Sequence, residues 1–148
     1  MRTTPDPRGV RFTAAFTSAV LALGLITGSW RVMAAQTLLF GLCAFVDIKL
    51  NPWGALYRKA VLPRLATLGT DEHEAPGPVR FAQGVGFACC LIATAGYASG
   101  VVVVGIAANA FALLASLLNA AFGYCLGCRV HALVHRVTPA RRSAEDTP

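Results

Sequence analysis

The sequence predicts an all-α membrane protein: four transmembrane helices arranged as two tandem helical hairpins, with a short amphipathic helix at the membrane interface. Three observations carry that prediction. Between Arg80 and Arg129 the chain holds no Asp, Glu, Lys, Arg or His, a run long enough for two helices of ~20 residues, each crossing ~30 Å of hydrocarbon. A hydrophobic fraction of 55% with only 14% charged residues departs from the roughly one quarter charged that soluble domains carry. The third observation is a repeat, since Val10-Arg11-Phe12 and Val79-Arg80-Phe81 each open a pair of apolar stretches.

The first span covers residues 12–28 and ends at the turn Ser29-Trp30-Arg31, whose indole suits interface depth. A cleaved signal peptide competes for this stretch, because Arg2, Arg8 and Arg11 precede it and Val32-Met33-Ala34 loosely resembles a cleavage site. The repeat assigns it to the fold instead. The second span covers residues 32–46. Asn51 as helix cap and Pro52 at the first helical position then open an interfacial helix over residues 52–62. Its apolar residues Trp53, Leu56, Tyr57, Ala60 and Val61 recur at helical spacing, with Arg58, Lys59 and Arg64 placed for anionic headgroups. A plain continuation of the second span is the competing reading. Asp71 to Pro78, acidic and proline-containing, is a connector.

The third and fourth spans cover residues 81–98 and 101–124, joined by the turn Gly96-Tyr97-Ala98-Ser99-Gly100. Residues 1–137 thus make one transmembrane domain and residues 138–148 a disordered polar tail. The halves close on Asn51-Pro52-Trp53-Gly54 and Asn119-Ala120-Ala121-Phe122-Gly123. Two spans per copy keep the same orientation, so the duplication is a parallel repeat.

A net charge of +6 raises a nucleic-acid reading, but the basic residues flank apolar spans and do not line one polar surface. The positive-inside rule explains them: every Lys and Arg except Arg31 lies in the N-terminus, the central segment or the tail, which places all three on the cytoplasmic side of a plasma membrane. Cys125 and Cys128 fall on that side, where thiols are kept reduced.

Close packing is written in the fourth span. Ala108, Ala112, Ser116 and Ala120 form one small-residue ridge, and Ala115, Asn119, Gly123 and Gly127 a second, so this helix is central in the bundle. Gln36, Gln83, Asn109 and Asn119 are the polar residues expected to point inward. Glue between helices is their default role and a substrate pathway the sharper alternative. No acidic residue is embedded to relay protons, so transport lacks its usual signature.

Asp6-Pro7-Arg8, Arg11-Phe12, the region Pro52 to Arg58, Arg80-Phe81-Ala82-Gln83-Gly84-Val85-Gly86 and Leu118 through Cys128, ending Gly123-Tyr124-Cys125-Leu126-Gly127-Cys128, resemble the bacterial integral-membrane family called domain of unknown function 4395. The likeness runs from about Asp6 to Arg136. It implies a bacterial inner-membrane protein and a link to thioredoxin-like and rhodanese-type proteins, near which members of that family tend to be encoded. It supplies no activity. His131 stands where an aromatic residue is expected after the cysteine pair, which separates that histidine from the family pattern.

Three readings of Cys125 and Cys128 stay open. A C-x-x-C pair suits reversible disulfide exchange, with Gly127 letting the backbone relax and Arg129 and His131 in support. The pair falls at the end of the fourth span, where the negative helix terminus and Arg129 oppose each other by comparable amounts. Cys125, Cys128, His131 and His135 are zinc-ligand types, but on one helix Cys125 and His135 stand ~15 Å apart at 1.5 Å per residue. Packing at a tight helix end is the third reading. No cofactor is implied. The expected role is a non-catalytic or weakly catalytic membrane partner of a thiol or sulfur-transfer protein; the alternatives are a small transporter or channel-like subunit for a sulfur compound and a purely structural subunit. Oligomeric state stays open, a homo-oligomer included.

Overall fold

A computed structural model of the chain describes residues 7–47, 51–65 and 76–137. Among the described residues every regular element is helical. Helix α1 (Pro7–Thr27) starts with proline at its first position, where the missing N–H costs nothing. It ends at Gly28, whose φ of 58° turns the chain into α2 (Trp30–Gly41). Trp30 therefore begins a helix and does not sit in a turn, with the Arg31 guanidinium 5.7 Å over its ring. The chain continues through α3 (Pro52–Leu56) and α4 (Leu62–Leu65), then α5 (Pro76–Ser99), α6 (Val102–Phe122) and α7 (Leu126–Val137). The turn expected at 96–100 is shorter, because α5 runs on to Ser99 and only Gly100 and Val101 connect it to α6.

Helices α1, α5 and α6 are long and apolar enough to cross a membrane. The second expected span is the exception. It comprises 12 residues of α-helix followed by 5 of π-helix, Leu42–Val46, and reaches at most ~25 Å at 1.5 Å per residue, short of a ~30 Å hydrocarbon core. The π turn is closed by Asp47 N–H on the Leu42 carbonyl at 3.1 Å.

Round the bundle the order is α1, α6, α5, α2, and α1 meets α2 through a much smaller contact than the others share. The α5–α6 pair is tight because glycines face each other: a Cβ on Gly96 would lie 2.5 Å from the Gly105 nitrogen. On the expected ridge Ala108, Ala112, Ser116 and Ala120, Ala112 joins the core and Ser116 bonds to α1, its hydroxyl donating to the Ala14 carbonyl at 2.9 Å and accepting from Ser18. The second expected ridge is not one surface, since Gly123 lies beyond the end of α6 and Gly127 belongs to α7. Leu21, Met33, Cys90, Ala93, Tyr97 and Ala112 form the core, with the Thr37 and Thr94 hydroxyls 3.1 Å apart across α2 and α5.

The interfacial helix expected at 52–62 is observed as α3, a π turn over Tyr57–Val61 and α4. Asn51 caps it as expected, its side-chain oxygen accepting from Trp53 N–H at 3.0 Å. Its apolar stripe is partly spent on the protein. Trp53 stacks on Phe16 with centroids 4.9 Å apart and Tyr57 lies against Phe12 at 5.6 Å, while Leu56 stays exposed. The 71–75 part of the expected connector and the expected tail at 138–148 lie outside the described residues.

The repeat is visible in space with one change of alignment. Asn51 caps a new helix, whereas Asn119 sits in the last turn of α6, so those two segments are not equivalent. The counterpart of α3 with its π turn is α7: Phe12 meets Tyr57 of the π turn and Phe81 meets His131 of α7, at 5.6 and 5.5 Å. Each repeat is a pair of helices with a third helical segment folded back on the first.

Candidate functional site

The cysteine pair owes its position to Gly123. This residue ends α6 in the left-handed conformation, φ 66°, its N–H on the Asn119 carbonyl at 2.9 Å, and Tyr124 N–H follows on the Leu118 carbonyl. Left-handed glycine is a common way for a helix to stop. The chain then starts α7 at Leu126, and the Cys125 carbonyl takes the first helical hydrogen bond, from Arg129 N–H at 3.1 Å. Cys125 is therefore the N-cap residue and Cys128 stands in the first turn.

This corrects the sequence-based expectation, which put the pair at the end of the fourth span beside a negative helix terminus. The pair stands at a positive one. The first amides of a helix lack intrahelical partners and carry about half a positive charge together, opposite in sign to the expected terminus. Both cysteines are half-buried.

Helix α7 is held by α5. A Cβ on Gly127 would come within 2.6 Å of both Ala82 Cα and Cβ, so only glycine lets the two backbones approach this closely. One turn on, His131 packs against Phe81 and against His135, whose ring centroid is 4.4 Å away. The Arg129 guanidinium lies 5.0 Å over the Tyr124 ring, which fixes a cation beside the linker that carries the pair. Among the described residues no three His, Cys, Asp or Glu side chains gather in a way that would hold a metal ion, so Cys125, Cys128, His131 and His135 are not drawn into one centre.

The four inward polar candidates separate. Asn109 is fully buried, donates to the Tyr97 hydroxyl at a long 3.5 Å and leaves its Oδ1 without a partner. Gln36, 3% exposed, and half-buried Gln83 likewise bury an amide atom without a partner, Nε2 and Oε1 respectively. Asn119 instead belongs to the end of α6.

Two arginines that cap helix ends were read in the sequence only as topology signals. The Arg11 guanidinium donates to the Ala120 and Ala121 carbonyls at 3.3 and 2.9 Å, closing the end of α6. Arg80 donates twice to the Ala44 carbonyl, at 3.1 and 2.9 Å, closing the π turn after α2. The equivalent arginine of each repeat thus caps the second helix of the other, where exposed carbonyls attract a cation. Their shared Val-Arg-Phe setting was the available signal.

Comparison with known proteins gives one match. The family model described as a domain of unknown function, DUF4395, matches residues 6–136, nearly the whole described structure. No curated protein and no solved structure matches the chain.

Proposed function

The chain belongs to the family of domain of unknown function 4395, and we propose that it is a membrane-embedded thiol–disulfide partner for a thioredoxin-like or rhodanese-type protein, acting through Cys125 and Cys128. The observation that carries this reading is the start of α7, where the pair occupies the N-cap and first turn. Thiolate is the attacking species in exchange, and a helix N-terminus favours it.

The step balances without a cofactor. One thiolate attacks a sulfur of the partner's disulfide, forming a mixed disulfide and expelling the partner's other sulfur as thiolate. The second cysteine of the pair attacks the mixed disulfide and releases the partner. The pair ends as a disulfide and the partner as a dithiol, two electrons and two protons having passed to the partner. In this reading residues 1–137 act as one domain in a bacterial inner membrane, with the pair on the cytoplasmic side. The supporting feature is the distribution of Lys and Arg.

The test is non-reducing electrophoresis of rapidly acid-quenched cells carrying Cys125→Ser or Cys128→Ser. A mixed disulfide that reducing agent dissolves is expected in one of them. If neither traps a partner, and the double variant grows as wild type under oxidative and sulfur-limited conditions, the reading is overturned. A second reading, a transporter subunit for a sulfur compound, is supported by the unpartnered amide atoms of Gln36 and Asn109 inside the bundle. An uptake defect on deletion of the gene that the double cysteine variant fully complements favours this reading.

A further inference from the structure

Independently of the thiol chemistry, we propose that α7 is an in-plane membrane anchor, docked through Val130, Leu133 and Val137 on a lipid surface containing anionic headgroups. These side chains are 48%, 61% and 76% exposed, an unusual outlay of apolar area for a helix that also carries Arg129, His135 and Arg136.

The geometry comes from two measurements on α7. First, its contacts turn it across α5. Gly127 meets Ala82 and His131 meets Phe81, so one turn along α7, ~6 Å at 1.5 Å per residue, moves the contact by a single residue of α5. A helix aligned with α5 would have moved it by about four. If α5 crosses the bilayer, α7 therefore lies across that direction, near the cytoplasmic end of α5.

Second, the faces of α7 are distributed as an in-plane helix requires. At about 100° per residue, Val130, Leu133 and Val137 form one stripe, about a quarter turn or a little more from the flank formed by Gly127 and His131 that packs on α5. Arg129 and Arg136 lie on the flank opposite α5, and Cys128, Ala132 and His135 complete the side away from the stripe. A helix beside a bundle at the interface has these surroundings: protein on one flank, hydrocarbon below, headgroups on the other flank and water above. The stripe also continues an apolar belt, since Phe81 and Val85 of α5 and Phe122 of α6 are exposed at the same end. The arginines supply the match to anionic headgroups.

The experiment places a photoreactive benzophenone amino acid at Val130, Leu133 or Val137, and at Ala132 as the opposite face, in the full chain. Vesicles contain phosphatidylcholine with phosphatidylglycerol. Leu114, an exposed apolar residue of α6, is the control expected to capture lipid. Phospholipid adducts are expected at the three stripe positions and not at Ala132. Replacing Arg129 and Arg136 by Gln should lower the phosphatidylglycerol share of those adducts by about fivefold per arginine, the equivalent of ~1 kcal/mol for each basic side chain near an anionic surface. Adducts to a second copy of the chain, equal capture at Ala132, or no lipid capture on the stripe while Leu114 captures lipid would each overturn the proposal. An unchanged lipid ratio in the arginine variants would overturn its anionic component.

Discussion

Gly123→Ala tests the break between α6 and α7, on which the placement of the cysteine pair depends. A Cβ there would meet only Arg11 Cδ at 3.6 Å and Nε at 3.9 Å, ordinary contacts, so crowding plays no part. What remains is the backbone, at φ 66° and ψ 17°. Holding alanine in that region costs about 1 kcal/mol or more. Were α6 and α7 one continuous helix, the same change would remove an interior glycine and stabilise the protein by about 0.8–1 kcal/mol. The two geometries therefore predict opposite signs, separated by about 2 kcal/mol, or roughly 30-fold in the folding equilibrium. Reversible unfolding in mixed micelles of increasing dodecyl sulfate fraction, followed by circular dichroism, measures the difference. Gly123→Asn should fall between wild type and alanine, because Asn tolerates the left-handed region. Stabilisation by alanine, with Asn no better than Ala, would refute the break.

The remaining predictions use the same titration. Arg80→Met should cost about 1.5–3 kcal/mol through two charge-assisted bonds to one carbonyl, and Arg80→Lys less; Arg11→Met should cost less than Arg80→Met, because its bonds are exposed. Gly127→Ala should cost about 1–3 kcal/mol, since the Ala82 backbone cannot give way, and hydrogen exchange should quicken over α7 first. Asn109→Leu should be neutral or stabilising by about 1 kcal/mol, because the buried Oδ1 has no partner to lose and the bond to Tyr97 is long; a loss above roughly 2 kcal/mol would show that Asn109 holds something the bundle needs.

Helices α5 and α6 were legible because spanning depends on length and the absence of charge, and both are written plainly between Arg80 and Arg129. The second span is helical over Trp30–Val46, but its apolar composition does not reveal that Leu42–Val46 winds as a π turn. Gly123 was illegible for a different reason. Glycine is frequent inside membrane helices, so among Ala115, Asn119 and Gly127 it reads as a packing ridge and loses the stop signal it carries in soluble helices. The better signal was a change of period. After Cys125, charges return at Arg129 and Arg136 while apolar residues keep one face, the pattern of an amphipathic helix already recognised over 52–62. The roles of Arg11 and Arg80 needed the fold, because each acts on a helix end of the other repeat.

The repeat supplies the last prediction. With Tyr57 and His131 as counterparts, Asn51 at the head of α3 corresponds to Cys125 at the head of α7. Asn51 accepts the Trp53 amide proton at 3.0 Å, and Asn is among the strongest N-caps. A thiol is a weak acceptor in that place, whereas a thiolate is drawn to it by the helix terminus. The half carrying the cysteine pair thus has a thiol where the other half has one of the strongest neutral caps. Cys125→Asn should remove the difference, raising stability by about 0.5–1 kcal/mol while abolishing completed exchange and leaving Cys128 to retain any partner as a mixed disulfide. A fall in stability would show that Cys125 is held by packing and not by the helix start. A rise in stability without a trapped partner would keep the cap geometry and, if Cys128→Ser traps no partner either, remove the thiol chemistry.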